Sequence, residues 1–369
     1  MNIVTNAFIL LLYSPDKNSG FCWESSDKCS NFVTCFFITT YEYTVWLIMK
    51  KTLFFLLLLA GLVSAQLTHA REITVDVYGR GDFTSVQEAI NSVRAFDPAG
   101  WVTIRISEGI YKEKLEIPTY NTRIRLVGED AEKTILVWYD HANINKMGTF
   151  RTYTLKIGGS DIVLENLTIM NAAEPLGQAV AVHVEGDRVI FNNCRLIGNQ
   201  DTYYGGRANC RQFFYKCYIE GTTDYIFGPS TAWFEQCVIH SKRNSYITAA
   251  STPENQVFGF IFNKCTLTVA EGVDKMYLGR PWRGYAMTLF RNCEMPEGIH
   301  PAGWENWRNP ENEKTARYSE YKNTGAGSDR SKRVNWSREL SRKEARKITI
   351  DRVLQGSDGW TGYKAFMGK

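Results

Sequence analysis

The chain has 369 residues, 44% of them hydrophobic and 22% charged, with a formal net charge of +4. That is ample apolar material for a buried core, and too small a basic excess for a surface that coats polyanions, so no nucleic-acid partner is expected. The mild positive balance suits an anionic substrate without deciding for one.

Met49-Lys50-Lys51 opens a basic start, Leu53 to Val63 is apolar, and Val63-Ser64-Ala65 has the small residues of a cleavage site. Residues 49–65 therefore read as a secretory signal with its own initiator methionine, and residues 1–48 as upstream sequence read through from a misplaced start. The apolar runs Phe8 to Tyr13 and Phe32 to Ile38 are too short to span a bilayer. Cleavage after Ala65 leaves about 300 residues, enough for one large domain, here 72–369. The expectation is an exported protein, periplasmic or extracellular, monomeric and free of the membrane once the signal is removed.

Ile73 to Val77 alternates as a strand. Ser85-Val86-Gln87-Glu88 then reads as a capping box opening a short amphipathic helix, suited to closing the end of a repeat array. From Trp101 onward short strands replace the helical period: Val102 to Ile106, Lys114 to Ile117, Arg123 to Val127, Thr134 to Trp138, Thr154 to Ile157 and Ile162 to Met170.

A self-similar phrase follows. Phe precedes Cys by three residues at Phe191/Cys194, Phe214/Cys217, Phe234/Cys237, Phe262/Cys265 and Phe290/Cys293, with Leu164 and Leu167 in the same phase one turn earlier. The Cys spacings are 23, 20, 28 and 28 residues, one rung plus loops of varying length. The fold predicted is all-β, a parallel β-helix whose open ends need caps. Of nine Cys, six follow the signal; five share one phase, which reads as a column of free, buried thiols rather than a disulfide framework. Beyond Cys293 the repeat stops. Ser337 to Arg346 reads as a helix capped by Ser337, in a tail lying along the solenoid, and the basic run Arg330 to Lys347 as a solvated helix face.

The same period organises the chemistry. Asp201 and Asp224 each lie seven residues after a Cys and are 23 residues apart; Gln178 lies a further 23 residues upstream, and Gln200 adjoins Asp201. Stacked on neighbouring rungs about 4.8 Å apart, two carboxylates push their protonation states apart. Such a pair with two amides suits acyl transfer: one Asp as nucleophile, one as acid, amide N–H groups for an oxyanion. Arg280 is placed to keep one acid ionised. There is no Gly-x-Ser-x-Gly, and the five His show no metal-ligand spacing. His183, in an alternating strand, reads as structural.

Gly109-Ile110-Tyr111-Lys112-Glu113, Gln178-Ala179-Val180-Ala181, Gln200-Asp201-Thr202, Asp224-Tyr225-Ile226-Phe227-Gly228 and Leu278-Gly279-Arg280-Pro281-Trp282 together resemble the signature set of the pectin methylesterases, from about Ile73 to Trp360. The resemblance implies a right-handed parallel β-helix that hydrolyses methyl esters of galacturonosyl units, with methyl-esterified pectin as substrate and no cofactor. By position it makes Asp224 the nucleophile, Asp201 the general acid and then base, Gln178 and Gln200 the anion hole, and Arg280 the partner of Asp224. Trp282, Phe227 and Tyr204 are expected to line the sugar cleft, and Thr152 to contact substrate. Tyr225 and Tyr203 stand where the family has Phe and Leu, which predicts a more polar cleft. The missing inhibitor-like pro-region and the Lys-Lys signal give the chain a bacterial look. A lyase or polygalacturonan hydrolase, the same mechanism on another esterified uronan, and a non-catalytic carbohydrate-binding β-helix remain as alternatives.

Overall fold

The computed structural model describes residues 44–54, 71–98 and 100–367. The chain divides into two compact units, Met1–Leu67 and Thr68–Lys369. In the first, residues 44–54 are helical; most of the expected extension and residues 55–65 of the expected signal lie outside the described residues. No helix among the described residues is long and apolar enough to cross a membrane.

The second unit is a right-handed parallel β-helix of three sheets, with eleven, seven and seven strands. From Val102–Ile106 to Met287–Arg291 successive strands visit the first, second and third sheet in turn, so each pairs with the strand three places on; at both ends of the eleven-stranded sheet consecutive strands pair instead. Ser85 accepts the Glu88 N–H and caps the helix Val86–Asn91, as predicted. The Glu88 side chain does not complete the box; instead the Glu113 carboxylate accepts from the Ser85 hydroxyl (2.6 Å) and from the N–H groups of Val86 (2.9 Å) and Gln87 (3.0 Å). Glu113, part of a family-like motif, thus ties the helix N-terminus to the first rungs.

The Phe-x-x-Cys phrase has a backbone cause. In each rung Phe is the last inward-facing residue of a strand of the first sheet, one before the strand's end, and the residue before Cys turns the corner with positive φ: Asn193, Lys216, Gln236, Lys264 and Asn292 all lie between 51° and 55°. One left-handed residue redirects the chain by a sheet, and Cys then points inward again. Asn166 makes the same corner (φ 52°) and breaks the expected single strand into Ile162–Glu165 and Thr168–Asn171. Parallel register stacks the five Phe rings with centroids 4.3 to 4.6 Å apart. Below them the column continues as Leu164, Leu126, Ile104 and Ile73.

Among the described residues six cysteines are free and buried; from Cys217 onward those of the column point their thiols at carbonyls of the preceding rung, as Cys217 does to Phe191 O (3.4 Å) and Cys265 to Phe234 O (3.4 Å), while Cys194 faces Asn192 O of its own rung. Iodoacetamide is expected to leave all five column thiols unmodified in the native protein and to label them once the chain is unfolded; rapid labelling of folded protein would contradict this packing.

At the C-terminal end the Phe column meets Glu320, paired in register with Phe290 and almost fully buried. Arg330 and Arg333 hold its carboxylate. The basic run is therefore not one solvated helix face. It comprises this buried ion pair, the strand Arg338–Glu339 and the short helix Arg342–Arg346. Ser341, not Ser337, is the cap, in a complete capping box with Glu344. The tail covers the outer face of the first sheet, packing Leu340, Val353, Leu354 and Tyr363 on Ile190, Phe213, Trp233 and Ile261.

Candidate active site

Asp201 and Asp224 occupy corners between the second and third sheets, each just before a strand of the third. Tyr203 pairs with Ile226 and Tyr204 with Phe227, so the two acids sit at matching places on adjacent rungs. Both have positive φ, 68° and 50°, a region Asp tolerates better than most residues. Their backbones are anchored to the next rung: Asp201 N–H donates to Thr223 O (3.1 Å) and Asp224 N–H to Tyr246 O (2.8 Å). Sharp corners on a stacked backbone hold both side chains on one face.

The third sheet extends that face. Register carries one outward column through Glu116, Lys156, His183, Tyr204, Phe227 and Ala249. The pairing of Thr248 with Gly279 sets Arg280 next in line. Arg280 reaches back to Asp224 with two parallel bonds, Nε to Oδ1 at 3.0 Å and Nη2 to Oδ2 at 2.6 Å. Its guanidinium lies between the rings of Tyr246 and Trp307, 3.9 Å from each centroid. This double stack fixes the plane of the fork, which a lysine could not reproduce.

A cavity of about 290 Å³ opens here, lined by Gln178, Gln200, Asp201, Asp224 and Arg280, with Phe227, Trp282, Trp307, Phe150, Ala249 and Thr149 around them. Seven of the nine residues singled out from sequence line it. Tyr204 lies one layer behind, stacked on Phe227 (4.5 Å) and in tilted contact with Phe150 (4.8 Å). Thr152 does not line it: the residue is fully buried, its hydroxyl donating to Thr149 O (2.7 Å) and accepting the Val180 N–H (2.9 Å). Thr149 reaches the cavity in its place. Gln178 arrives off strict register, because the rung offset is 21 where Val182 pairs with Tyr203. Among the described residues neither Gln178 nor Gln200 makes a side-chain hydrogen bond, so both amides remain available as donors.

Tyr225 and Tyr203 leave the cleft no more polar. Both are fully buried, the first bonded to Ser241 (2.8 Å) and the second to Gln212 (3.0 Å). Phe150, Tyr246 and Trp307 were missed from the sequence. Phe150 and Trp307 sit in irregular turns outside the repeat; Tyr246, the first residue of the strand Tyr246–Ala250 that pairs with Asp224's rung, was within reach of the period.

The electrostatics separate the acids. Burial raises both carboxyls above their ordinary range. Arg280 opposes this at Asp224, while Asp201, not ion-paired among the described residues and facing the charge of Asp224, is pushed well above it. The bonds to Asp224 in turn keep Arg280 firmly cationic. Two carboxyls pushed up unequally, with two amide donors at the rim, are equipment suited to covalent acyl transfer.

Residues 72–357 match the family model described as Pectinesterase. The chain is 40% identical to Pectinesterase 31 of Arabidopsis thaliana over 286 residues, 74% of this chain and 89% of that protein. Among solved structures, the pectin methylesterase from carrot is 30% identical and superposes with a TM-score of 0.76, covering 82% of this chain and 98% of that one. A pectin methylesterase in complex with a hexasaccharide is 29% identical, with a TM-score of 0.69 over 78% and 97% of the two chains. The similar curated proteins are plant enzymes, so the bacterial look of the sequence finds no support in them. Family match, identity, fold and matched length agree, and the chain belongs to the pectinesterase family.

Proposed function

We propose that this protein hydrolyses the methyl esters of galacturonosyl units in pectin through a covalent intermediate on Asp224. The observation that carries the reading is the unequal pair: Asp224 held in a two-bond contact by a stacked Arg280, and Asp201 beside it with its carboxyl pushed well up. The ionised Asp224 attacks the ester carbonyl, and the amides of Gln178 and Gln200 bear the charge that develops on its oxygen. Asp201 gives its proton to the leaving methoxide, releasing methanol. It then takes a proton from water, which attacks the acyl-enzyme and frees a carboxylate on the sugar and Asp224 on the protein. Phe227 and Trp282 offer apolar faces to the pyranose rings, with Tyr204 supporting Phe227 from behind.

Methanol release from methylated pectin by the protein lacking residues 1–65 tests the reading directly. Polysaccharide retention without methanol would point to a binding module, and unsaturated or new reducing ends without methanol to a different reaction.

The pH dependence has a definite sign. Activity requires Asp224 ionised and Asp201 protonated, so kcat/KM rises as Asp224 loses its proton and falls as Asp201 does; the pair titrates as a unit with two apparent values. Because burial raises both groups, the acid limb is expected above the ordinary aspartate value of about 3.9. A profile flat through the acid and neutral range would refute the assignment.

The segment 49–65 supports export to where the wall polysaccharide lies. The expected exported form begins at Gln66, which N-terminal mass spectrometry checks; a secreted protein retaining residues 49–65 would count against it.

A further inference from the structure

His183 stands in the outward column of the third sheet, one rung from Tyr204 and two from Phe227. It is almost wholly buried, and both ring nitrogens are engaged. Nδ1 lies 3.3 Å from the carbonyl oxygen of Phe150, and Nε2 lies 3.0 Å from Glu185 Oε1. Both partners can only accept. A neutral imidazole carries one N–H and can satisfy one of them; only the imidazolium donates to both. The Phe150 carbonyl belongs to the turn Thr149–Arg151, whose Thr149 and Phe150 line the cavity beside the acids. The Phe150 ring rests on Tyr204 (4.8 Å), which rests on Phe227 (4.5 Å). The state of one buried ring therefore decides whether the Phe150 carbonyl is tied to the sheet, the rest of the turn being held by Thr152, whose hydroxyl links Thr149 O to the Val180 N–H, and by Lys114 on Arg151 O.

We propose that His183 is a positioning residue for substrate: as imidazolium it bridges Glu185 and the Phe150 carbonyl and holds the Phe150 turn against the sugar-binding face. The proposal rests on the pectin methylesterase reading and adds a binding term to it, separate from the chemistry at Asp201 and Asp224. When His183 is neutral, its single proton stays toward Glu185, the shorter contact and the charged acceptor. Nδ1 then presents a lone pair to the Phe150 oxygen, and the turn loosens.

The groups facing His183 are Glu185 just past the end of its own strand, Lys156 on the strand before, Tyr204 on the strand after, and Tyr153 edge-on at 6.0 Å; Glu116 lies beyond Lys156. Burial disfavours the charged ring and Lys156 adds to that, while Glu185 and the Phe150 carbonyl favour it, with a net downward displacement from the ordinary histidine range. Substrate pressing on the Phe150 wall selects the bridged form, so binding and protonation favour each other. Affinity is then greatest below the histidine's titration and declines as pH rises through it.

The experiment is steady-state methanol release from methylated pectin between about pH 5 and about pH 8, with kcat and KM resolved separately. The wild-type KM is expected to rise about two- to tenfold across the titration of His183, while kcat follows only the two acids. His183→Gln, which cannot titrate, should give a pH-independent KM near the wild-type alkaline value. A wild-type KM constant over that range, or the wild-type slope persisting in His183→Gln, overturns the proposal while leaving the esterase reading intact; no methanol at any pH overturns the reading itself. A second measurement does not depend on that variant folding. The His183 ring resonances are titrated by NMR in Asp224→Asn protein, with and without a fully methyl-esterified, uncharged oligogalacturonate. An upward pKa shift on binding is expected, and an unchanged value refutes the linkage.

Discussion

Asp224→Asn is expected to lower methanol release by about 10⁴-fold or more, the scale seen when a covalent nucleophile is removed from an assembled site. Asparagine keeps the volume of the side chain and tolerates the left-handed backbone at this corner, where φ is 50°. Circular dichroism and the thermal transition should therefore report a retained β-helix. Alanine would confound chemistry with backbone strain at the same position. An Asn variant with near-parental activity and an unchanged fold would remove Asp224 from the nucleophile's role.

Arg280→Ala should have the next largest effect, and on two observables. With the fork gone, Asp224 loses what opposes its burial, so the acid limb of the pH–rate profile moves upward by about 1 to 3 units. Breaking a buried pair costs about 3 to 5 kcal/mol when the survivor stays charged. The cost here falls below that range, because 21% of the Arg280 side chain reaches solvent. The penalty also has a sign in pH. It is full where Asp224 must remain ionised and shrinks as the medium becomes acid enough to protonate the unpartnered carboxyl. Denaturation midpoints of parent and variant at neutral and acid pH check this; a gap that widens on acidification would mean that Arg280 stabilises the fold by another route. Arg280→Lys should recover little, since an ammonium neither forks onto two carboxylate oxygens nor stacks flat between Tyr246 and Trp307.

What could be read before the structure was what repeats. Five Phe/Cys pairs fixed the rung, and the rung fixed Asp201 against Asp224, because strand pairing in a solenoid is local and regular. The sequence-level account failed wherever the chain leaves the period. Glu113 caps a helix about 28 residues upstream, a contact no spacing announces. Thr152 was assigned to the substrate from family position, yet its hydroxyl serves a turn, and Thr149 in that turn faces the cavity. Trp307 reaches the site from an irregular segment after the last Phe/Cys rung, with a φ of 61° and its N–H bound by Glu305 (2.9 Å). Tyr225 and Tyr203 were assigned to the wrong face, because on such short strands one residue separates inward from outward. The basic run near the C-terminus illustrates the same limit, since two of its arginines, Arg330 and Arg333, are consumed by Glu320 where the aromatic stack ends.

The outward column from Glu116 to Arg280 turns rung spacing into a ruler. Each coil adds one side chain and about 4.8 Å to the length of polymer that can be gripped, while the reactive corner occupies only two coils. Duplicating a coil on the Lys156 side would lengthen the grip without altering the distance between the acids, so reach along the polysaccharide and reactivity toward its ester can evolve, or be engineered, independently.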